Sequence, residues 1–260
     1  MVDVFRISSR QHGVVEVRAA NWLIALGEGL ALLGVVDGLD RVACEVLMNG
    51  TTLVRDVRRG HGYIVQPLQG NDPAAEGRPQ GDASPNEHLD DTEDAGAMPL
   101  QQGPNPLLAE WIERIHSARD RRTAVRLAVQ GAMALVPAES GTMLLEQPDA
   151  TLLFAVVAGP EAHKLRNVTL PAGTGVAGFC VDHAVALTVT DPYRDQRFYR
   201  EVDARTGYRT RSLLCAPVAV AHRVYGCLEL INAPGTAGFS TVGLDDATRI
   251  ADTLAARLAR

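Results

Sequence analysis

The sequence predicts an α+β protein in which a largely antiparallel β-sheet is framed by helices at both ends of its main domain. Short apolar runs bounded by Gly, Pro and Asp recur through the second half of the chain, as is typical of strands joined by turns. Helical stripes of apolar residues stand before the first of these runs and after the last. A polar segment, residues 69–105, separates this domain from a small unit ahead of it.

Residues 1–68 predict a unit made of one helix and a β-hairpin. The segment AANWLIALGEGLALLG has apolar residues at helical spacing and ends at Gly34, a suitable C-cap. Those apolar residues are Trp22, Leu23, Leu26, Leu30 and Leu33. Asn49-Gly50 between two strand-like runs predicts the hairpin, and Gly60 to Gly62 predicts a turn into a third strand. We assign no function to this unit.

Residues 69–105 predict a disordered, flexible linker. They combine Pro, Gly, Gln and acidic residues with almost nothing apolar to bury. Folding such a segment would not offset the conformational entropy that it loses. The main domain is therefore expected at residues 106–260.

Helices are expected to open and close this main domain. The stretches NPLLAEWIERIHSARD and RRTAVRLAVQGAMALVPA predict two helices, the second stopped by Pro137, and LDDATRIADTLAARLAR predicts the last one. GTGVAGFCVDH predicts a short helix inside the domain. Strands are expected at GTMLLEQ, TLLFAVV, LRNVTL, ALTVTD, SLLCAPVAV and VYGCLELIN.

Composition excludes several classes of protein. A formal net charge of −6 argues against a nucleic-acid partner, because such binding depends on neutralising phosphates. The chain has no apolar run long enough to cross a membrane and no signal-peptide pattern at its start, so we expect a cytoplasmic protein without membrane partners. Its four cysteines lie far apart, and we expect no disulfide, no metal and no cofactor.

The segment from residue 171 to residue 232 resembles the GAF domain, a small-ligand sensing module of signalling proteins. Gly175 and Gly178 lead a helix, an apolar strand ends in Asp191, and RFY…VD…TGYRT precedes SLLCAPV and GCLELIN. The order and spacing of these pieces carry the resemblance. It implies a GAF/PAS-like antiparallel sheet over residues 106–260, with helices at both ends.

In GAF domains, loops and a short helix close over a small molecule on the sheet's concave face. The stretch DQRFYREVDARTGYRTRSLLCAPV, residues 195–218, resembles that cover. We expect its aromatics, Phe198, Tyr199 and Tyr208, to lie inside and its charges outside. Ser212 is where the cover is expected to become a core strand.

The resemblance extends to the subgroup of GAF domains that binds cyclic nucleotides. It implies that backbone amides at a helix start face the phosphate, that an aromatic and two threonines of the cover contact the ligand, and that an acidic residue lies on the strand beneath. The candidate ligand-binding residues are Val176, Ala177, Asp191, Phe198, Tyr199, Thr206, Thr210 and Glu229.

The chain departs from that subgroup in its signature of Asn-Lys, Phe, three residues and Asp-Glu. Here the corresponding residues are Asn232-Ala233, Phe239 and Asp245-Asp246, with five residues after the Phe. No Lys is present to form the ion pair that the signature supplies. The resemblance therefore leaves the identity of the ligand open.

Most candidate residues have a structural alternative. Asp191 suits a turn before a proline, and Thr206 and Thr210 suit bonds that brace the cover from within. Glu229 occupies an alternating strand position that allows it to face solvent. Cys180, near a helix start, suits either a redox-active thiol or a core residue.

We expect a non-enzymatic sensor in which a bound small molecule, a cyclic nucleotide being one candidate, shifts the cover and terminal helices and so signals to an unidentified downstream protein. One alternative is a ligand-free GAF scaffold, favoured by Val157 and Ala158, which stand where nucleotide-binding members place an aromatic and a polar residue. Another is a thiol-dependent reductase of free methionine sulfoxide, which also has the GAF fold.

A homodimer is expected because the first and last helices of the main domain carry apolar stripes, and such helices commonly pair in this family. Trp111 and Ile115 are the residues expected to face the partner subunit. The stripes also suit packing on the domain's own sheet.

Overall fold

A computed structural model describes residues 3–9, 11–35, 42–46, 51–56, 61–68, 105–221 and 223–260. The strands are β1 (Asp3–Ser9), β2 (Gly13–Ala19), β3 (Val42–Val46), β4 (Thr52–Asp56), β5 (Gly62–Leu68), β6 (Ser140–Glu146), β7 (Leu152–Ala158), β8 (Thr169–Leu170), β9 (Ala186–Val189), β10 (Leu213–Val220) and β11 (Arg223–Ile231). The helices are α1 (Trp22–Leu32), α2 (Pro106–His116), α3 (Arg121–Leu135), α4 (Gly175–His183), α5 (Glu201–Thr206) and α6 (Thr241–Leu258). Short 3₁₀ turns lie at Ala162–Leu165 and Pro192–Arg194.

The described strands form one sheet in the order β2-β1-β5-β4-β3-β9-β10-β11-β6-β7-β8. Neighbours pair antiparallel except β3 and β9, which pair parallel with Cys44 opposite Leu187. The first five strands of this order therefore continue the sheet of the main domain.

Two apolar cores lie on the two faces of the sheet. One joins α1, α4 and the cover to the first face, and the other joins α2, α3 and α6 to the opposite face. This α+β arrangement, with helices at both ends of the main domain, is the one that the sequence predicts.

Local sequence explains where the helices begin. Asn21 accepts bonds from the amides of Leu23 and Ile24, both at 3.0 Å, so it caps α1. Asp120 caps α3 by accepting from the amide of Thr123 at 2.7 Å. Asn105 caps α2 in the same way, as the Asn-Pro pair predicts.

The helix, the strand pair and the third strand predicted for residues 1–68 are present as α1, as β3 with β4, and as β5. The structure adds β1 and β2, which the sequence interpretation missed although Phe5, Ile7 and Val17 alternate with exposed residues. The turn predicted at Asn49-Gly50 and most of the segment 69–105 lie outside the described residues.

The expectation that Trp111 and Ile115 face a partner subunit is wrong. Trp111 is 8% exposed and Ile115 is fully buried in the core between α2, α3 and α6. A Cβ added at Gly131 of α3 would lie 3.0 Å from the Trp111 ring, so the indole fills the space that this glycine leaves. The apolar stripe of α2 therefore packs on its own domain.

No described helix is long and apolar enough to cross a membrane.

Candidate functional site

A small pocket lies between the first face of the sheet and the cover. Its floor comes from β6, β7, β10 and β11, one wall from the start of α4, and its roof from α5 and the residues on either side of α5. Of the residues that the sequence predicts at a site, it brings together Val176, Ala177, Phe198, Tyr199, Thr206, Thr210 and Glu229.

Asp191 does not line this pocket. It lies beyond the end of β9, where its carbonyl accepts from the amide of Arg194 at 3.1 Å and its carboxylate pairs with the Arg194 guanidinium at 3.4 Å. The turn role that an Asp-Pro junction predicts is therefore the one that the structure gives it.

The pocket is small. The space that the centre of a water molecule can reach is about 70 Å³. That is room for roughly five waters, far less than the ~300 Å³ or more of a typical ligand pocket. A nucleotide-sized ligand fits only if the cover moves outward.

The wall at α4 presents backbone amides. Gly175 has φ +79°, and the first-turn amides that follow, including those of Val176 and Ala177, have no partner within the helix. A helix N-terminus carries a partial positive charge that favours an anion. The start of α4 packs closely against the backbone of Gly173, which requires glycine at position 178, because a Cβ there would lie 2.5 Å from the carbonyl carbon of Gly173.

Glu229 lies on the floor with 8% of its surface exposed, so the alternative that it faces solvent is wrong. The pKa of its carboxyl is raised to about 7, chiefly by burial; a hydrogen bond from Cys215 opposes the rise, and the negative charge of Asp203 adds to it. The Cys215 thiol lies 3.6 Å from the Glu229 Oε1 atom. Near neutral pH this carboxyl is therefore partly protonated and able both to donate and to accept.

Three cysteines lie beneath the pocket in the same core. Cys180, Cys215 and Cys227 are all fully buried and reduced. Burial raises the pKa of the Cys180 thiol. The pKa of Cys215 is well above the ordinary value because of its contact with Cys227 and of burial, and that of Cys227 because of burial and of its contact with Cys180. Cys180 is therefore a core residue, not an exposed reactive thiol.

Thr206 and Thr210 brace the cover from within. Thr206 Oγ1 donates to the carbonyl of Val202 at 2.8 Å, and Thr210 donates to Asp203 from both its amide and its hydroxyl, at 2.7 Å each. Asp203 also accepts from the Tyr193 hydroxyl at 2.9 Å. The internal-brace alternative for both threonines is thus what the structure contains.

A second group of bonds, which we call the latch, ties the end of the cover to the end of β11. Asn232 donates to Glu139 at 2.8 Å and accepts from the amide of Arg211 at 2.7 Å. Glu139 also accepts from the Tyr208 hydroxyl at 2.7 Å and pairs with the Arg211 side chain. These bonds from Arg211, Asn232 and Tyr208 lower the pKa of Glu139 to about 2.

The aromatics of the cover point in different directions. Phe198 packs 5.2 Å from the ring of Tyr193 and joins the apolar core beneath. Tyr199 lies beside Gly175 at the α4 wall, and its hydroxyl donates outward to Glu201.

Sequence reasoning missed Asp203 and the pocket role of Thr142. Asp203 is 6% exposed although it stands in a run of charged residues, and only its spacing of three before Thr206 and seven before Thr210 hints at it. Thr142 lies directly opposite Glu229 on the neighbouring strand, a pairing that depends on a register the sequence does not reveal.

Comparison with known proteins agrees with this architecture. The model of the GAF domain family matches residues 120–260. A solved GAF domain of a phosphoenolpyruvate-protein phosphotransferase from Coxiella burnetii has a TM-score of 0.53 at 16% identity, covering 59% of this chain and 91% of that one. The corresponding domain from Acinetobacter gives 0.51 at 16% identity, with the same shares of the two chains. These structures share the fold.

Curated relatives include the dual 3',5'-cyclic-AMP and -GMP phosphodiesterase 11 of Drosophila melanogaster, 29% identical over 151 residues, which are 52% of this chain and 10% of that protein. The probable 3',5'-cyclic phosphodiesterase pde-5 of Caenorhabditis elegans is 29% identical over 111 residues, which are 39% of this chain and 15% of that protein. The chain thus spans a small part of the relatives that it matches. The family match and the shared architecture lead to one conclusion: this chain belongs to the GAF domain family.

Proposed function

We propose that this protein is a non-enzymatic sensor whose pocket binds an anionic small molecule of the cyclic-nucleotide class beneath the cover. The proposal rests on the arrangement of polar groups around the pocket under the cover. The amides at the start of α4 suit a phosphate, and the buried carboxyl of Glu229 suits the polar edge of a base.

The relatives support this ligand class. Two matched proteins are named as phosphodiesterases of 3',5'-cyclic nucleotides, although this chain covers only 10% and 15% of their lengths. The catalytic activity in those names is therefore not part of the proposal.

Opening of the cover is a required step, because about 70 Å³ does not hold a nucleotide. The latch at Glu139, Arg211 and Asn232 is the connection that an outward movement would strain. Asn232 directly follows β11, and the chain then passes toward α6, so a displaced latch would alter the segment that leads to that helix. Ligand binding would in this way change the surface near α6, and a downstream signalling protein would bind differently to that changed surface.

The burial of the cysteines supports a sensor over a thiol-dependent reductase. A reductase needs an accessible thiolate, and the three thiols near the pocket are buried with raised pKa values. Among the described residues, no group of three or more His, Cys, Asp or Glu is placed to hold a metal ion.

A homodimer stays part of the proposal, but with a different surface. Since Trp111 and Ile115 are buried, pairing through α2 would use its outer face, where Leu107 is 42% exposed. Replacing Leu107 with Glu should shift a dimer toward monomer in sedimentation velocity without changing the circular dichroism spectrum. An unchanged dimer would exclude this face.

The ligand-free scaffold is the second candidate, and the small volume of the pocket favours it. Thermal unfolding of the full chain against cyclic AMP, cyclic GMP and other nucleotides separates the two functions, since a ligand that binds only the native state raises the midpoint. We expect a cyclic nucleotide to raise it by several degrees. The rise should be smaller in Glu229→Gln and unchanged in Glu28→Gln, an exposed control on α1. No rise with any compound would move the conclusion to the scaffold.

A further inference from the structure

A basic groove lies on the surface at the edge of the sheet, away from the pocket roof. It is lined by arginines at the start of α3, by β7 and by the segment that includes the 3₁₀ turn at Ala162–Leu165, and it encloses about 1520 Å³. The arginines are Arg119, Arg121, Arg122, Arg126 and Arg166. In a chain with a formal net charge of −6, this is a concentrated positive surface.

Four of these five arginine side chains have no partner among the described residues. Asp120 is the one acidic residue among the described residues that line the groove, and it is engaged by Arg119 and by the cap of α3. Arg121, Arg122 and Arg126 are exposed on α3, and their guanidinium groups have no hydrogen bond or ion pair to any residue in the described ranges. The same holds for Arg166.

The wall formed by β7 is an open strand edge. On the side away from β6, β7 pairs with β8 only at Leu152 and Leu153, and the amide of Phe154 donates to Val168 at 3.1 Å. Within the described part of the chain, the backbone from Ala155 to Ala158 has no partner on that side. An unpaired edge is a template for another strand.

The arginines lie on both sides of this edge. α3 packs on one face of the sheet, while Leu165, which adjoins Arg166, is buried in the core on the other face. Successive side chains of an extended strand point to opposite faces. A strand added to β7 would therefore direct one set of side chains toward Arg122 and Arg126 and the other toward Arg166.

We propose that the β7 edge, between Ala155 and Ala158, is a docking site for an extended acidic segment of a partner protein, which adds a strand to the sheet and sets its carboxylates against the arginines of the groove. Backbone bonds to β7 would supply affinity, and the arginines would select acidic sequence. The groove shares Phe154, Val157, Ala162 and Leu165 with the lining of the pocket under the cover, but none of its arginines lines that pocket.

The test is fluorescence anisotropy of the full chain with a fluorescein-labelled ten-residue peptide that repeats Glu-Glu-Val-Val, so that acidic side chains fall on both faces of a strand. We expect saturable binding that weakens as salt rises. The double variant Arg122→Glu, Arg126→Glu should bind at least tenfold more weakly. A matched double variant, Arg18→Glu with Arg205→Glu, reverses two exposed arginines outside the groove and should change binding by less than twofold.

Two further probes separate strand addition from simple attraction of anions. The same peptide with every backbone amide methylated keeps its charge but loses its backbone donors, and we expect its binding to be at least tenfold weaker. A ten-nucleotide thymidine oligonucleotide should also bind more weakly than the acidic peptide. No binding of the acidic peptide, equal binding of its methylated form, or equal binding of the oligonucleotide would each overturn the proposal.

Discussion

At the scale of single residues, Glu229 combines burial with a place on the pocket floor. Its carboxyl has the Cys215 thiol at 3.6 Å and faces the negative charge of Asp203 across the pocket. The pKa of about 7 lies above the ordinary value of 4.5 because burial penalises the charged form. Its protonation is therefore coupled to folding and to whatever enters the pocket.

Replacing Glu229 with Gln should stabilise the protein at high pH but not at low pH. As pH rises from 4.5 toward 7, the unfolded chain releases this proton while the folded chain keeps it, so the carboxyl increasingly favours unfolding. The full difference corresponds to about 3 kcal/mol above pH 7 and vanishes below pH 4.5. Urea unfolding of Glu229→Gln and wild type at pH 5 and pH 8 measures it, with Glu28→Gln as control. A difference in stability that does not grow with pH would contradict the shifted pKa.

The sequence predicts which residues belong to the cover, but not which hydrogen bonds they form. The family resemblance places Thr206 and Thr210 in the cover and at the pocket, but their hydroxyls bond to the cover itself. Thr206 donates to the backbone carbonyl of Val202, and Thr210 donates to the buried carboxylate of Asp203. The burial of Asp203 depends on which face of α5 packs against the domain, and a run of charged residues in the sequence does not indicate that face.

At the scale of elements, the start of α4 is fixed by close backbone approach. Gly178 of α4 lies so near Gly173 that a Cβ would lie 2.5 Å from the carbonyl carbon of that residue. The Gly-x-x-Gly spacing at Gly175 and Gly178, visible in the sequence, is therefore a packing requirement as well as a family mark.

Gly178→Ala should destabilise the protein by about 1 to 3 kcal/mol, since the chain must move to accept the methyl group. Gly27→Ala is the matched substitution on α1, where a Cβ meets nothing within 4 Å and the helix is expected to gain up to about 1 kcal/mol. Urea denaturation measures both. Equal effects of the two substitutions would show that Gly178 is not closely packed.

The latch joins the cover to the sheet through one amide side chain. Asn232 is fully buried with φ +60°, and it bonds to Glu139, Tyr208, Arg209 and Arg211. Sequence comparison noted this Asn only as part of a signature that the chain otherwise lacks. Its role as the anchor of the cover depends on the fold.

Asn232→Ala should cost about 1 to 3 kcal/mol of stability and loosen the cover, because buried amides at its end lose their acceptor. Hydrogen exchange at residues 207–212 is expected to accelerate at least tenfold. Asn167→Ala is the control. Asn167 has φ +58° but is exposed, so its replacement introduces the same backbone strain as Asn232→Ala without removing buried hydrogen bonds. Equal acceleration in both variants would assign the effect to the backbone and not to the latch.

At the scale of the whole molecule, the strands of the first 68 residues extend the sheet of the GAF domain through β3 and β9. The register from Ala43 opposite Ala186 to Val46 opposite Val189 is parallel. Parallel pairing between distant parts of a chain leaves no turn signal in the sequence, unlike a hairpin. The α+β class and every described helix except α5 were predictable from the sequence pattern, whereas the junction of the two parts was not.

A fragment of residues 106–260 should be less stable than the full chain and should associate at high concentration. Removing β3 exposes the edge of β9, whose four residues are all buried in the full chain. Sedimentation velocity and thermal unfolding of the two proteins test this. A fragment that stays monomeric with the midpoint of the full chain would show that the junction contributes nothing to stability.

We propose that the pocket under the cover widens to admit a cyclic nucleotide. Hydrogen exchange of the full chain, with and without saturating cyclic AMP or cyclic GMP, tests it most directly. With one of these nucleotides bound, the amides of residues 175–178 should exchange at least tenfold more slowly, and the exchange rates of amides in the cover, residues 195–211, should change. Exchange that neither nucleotide alters in these two segments would contradict the claim.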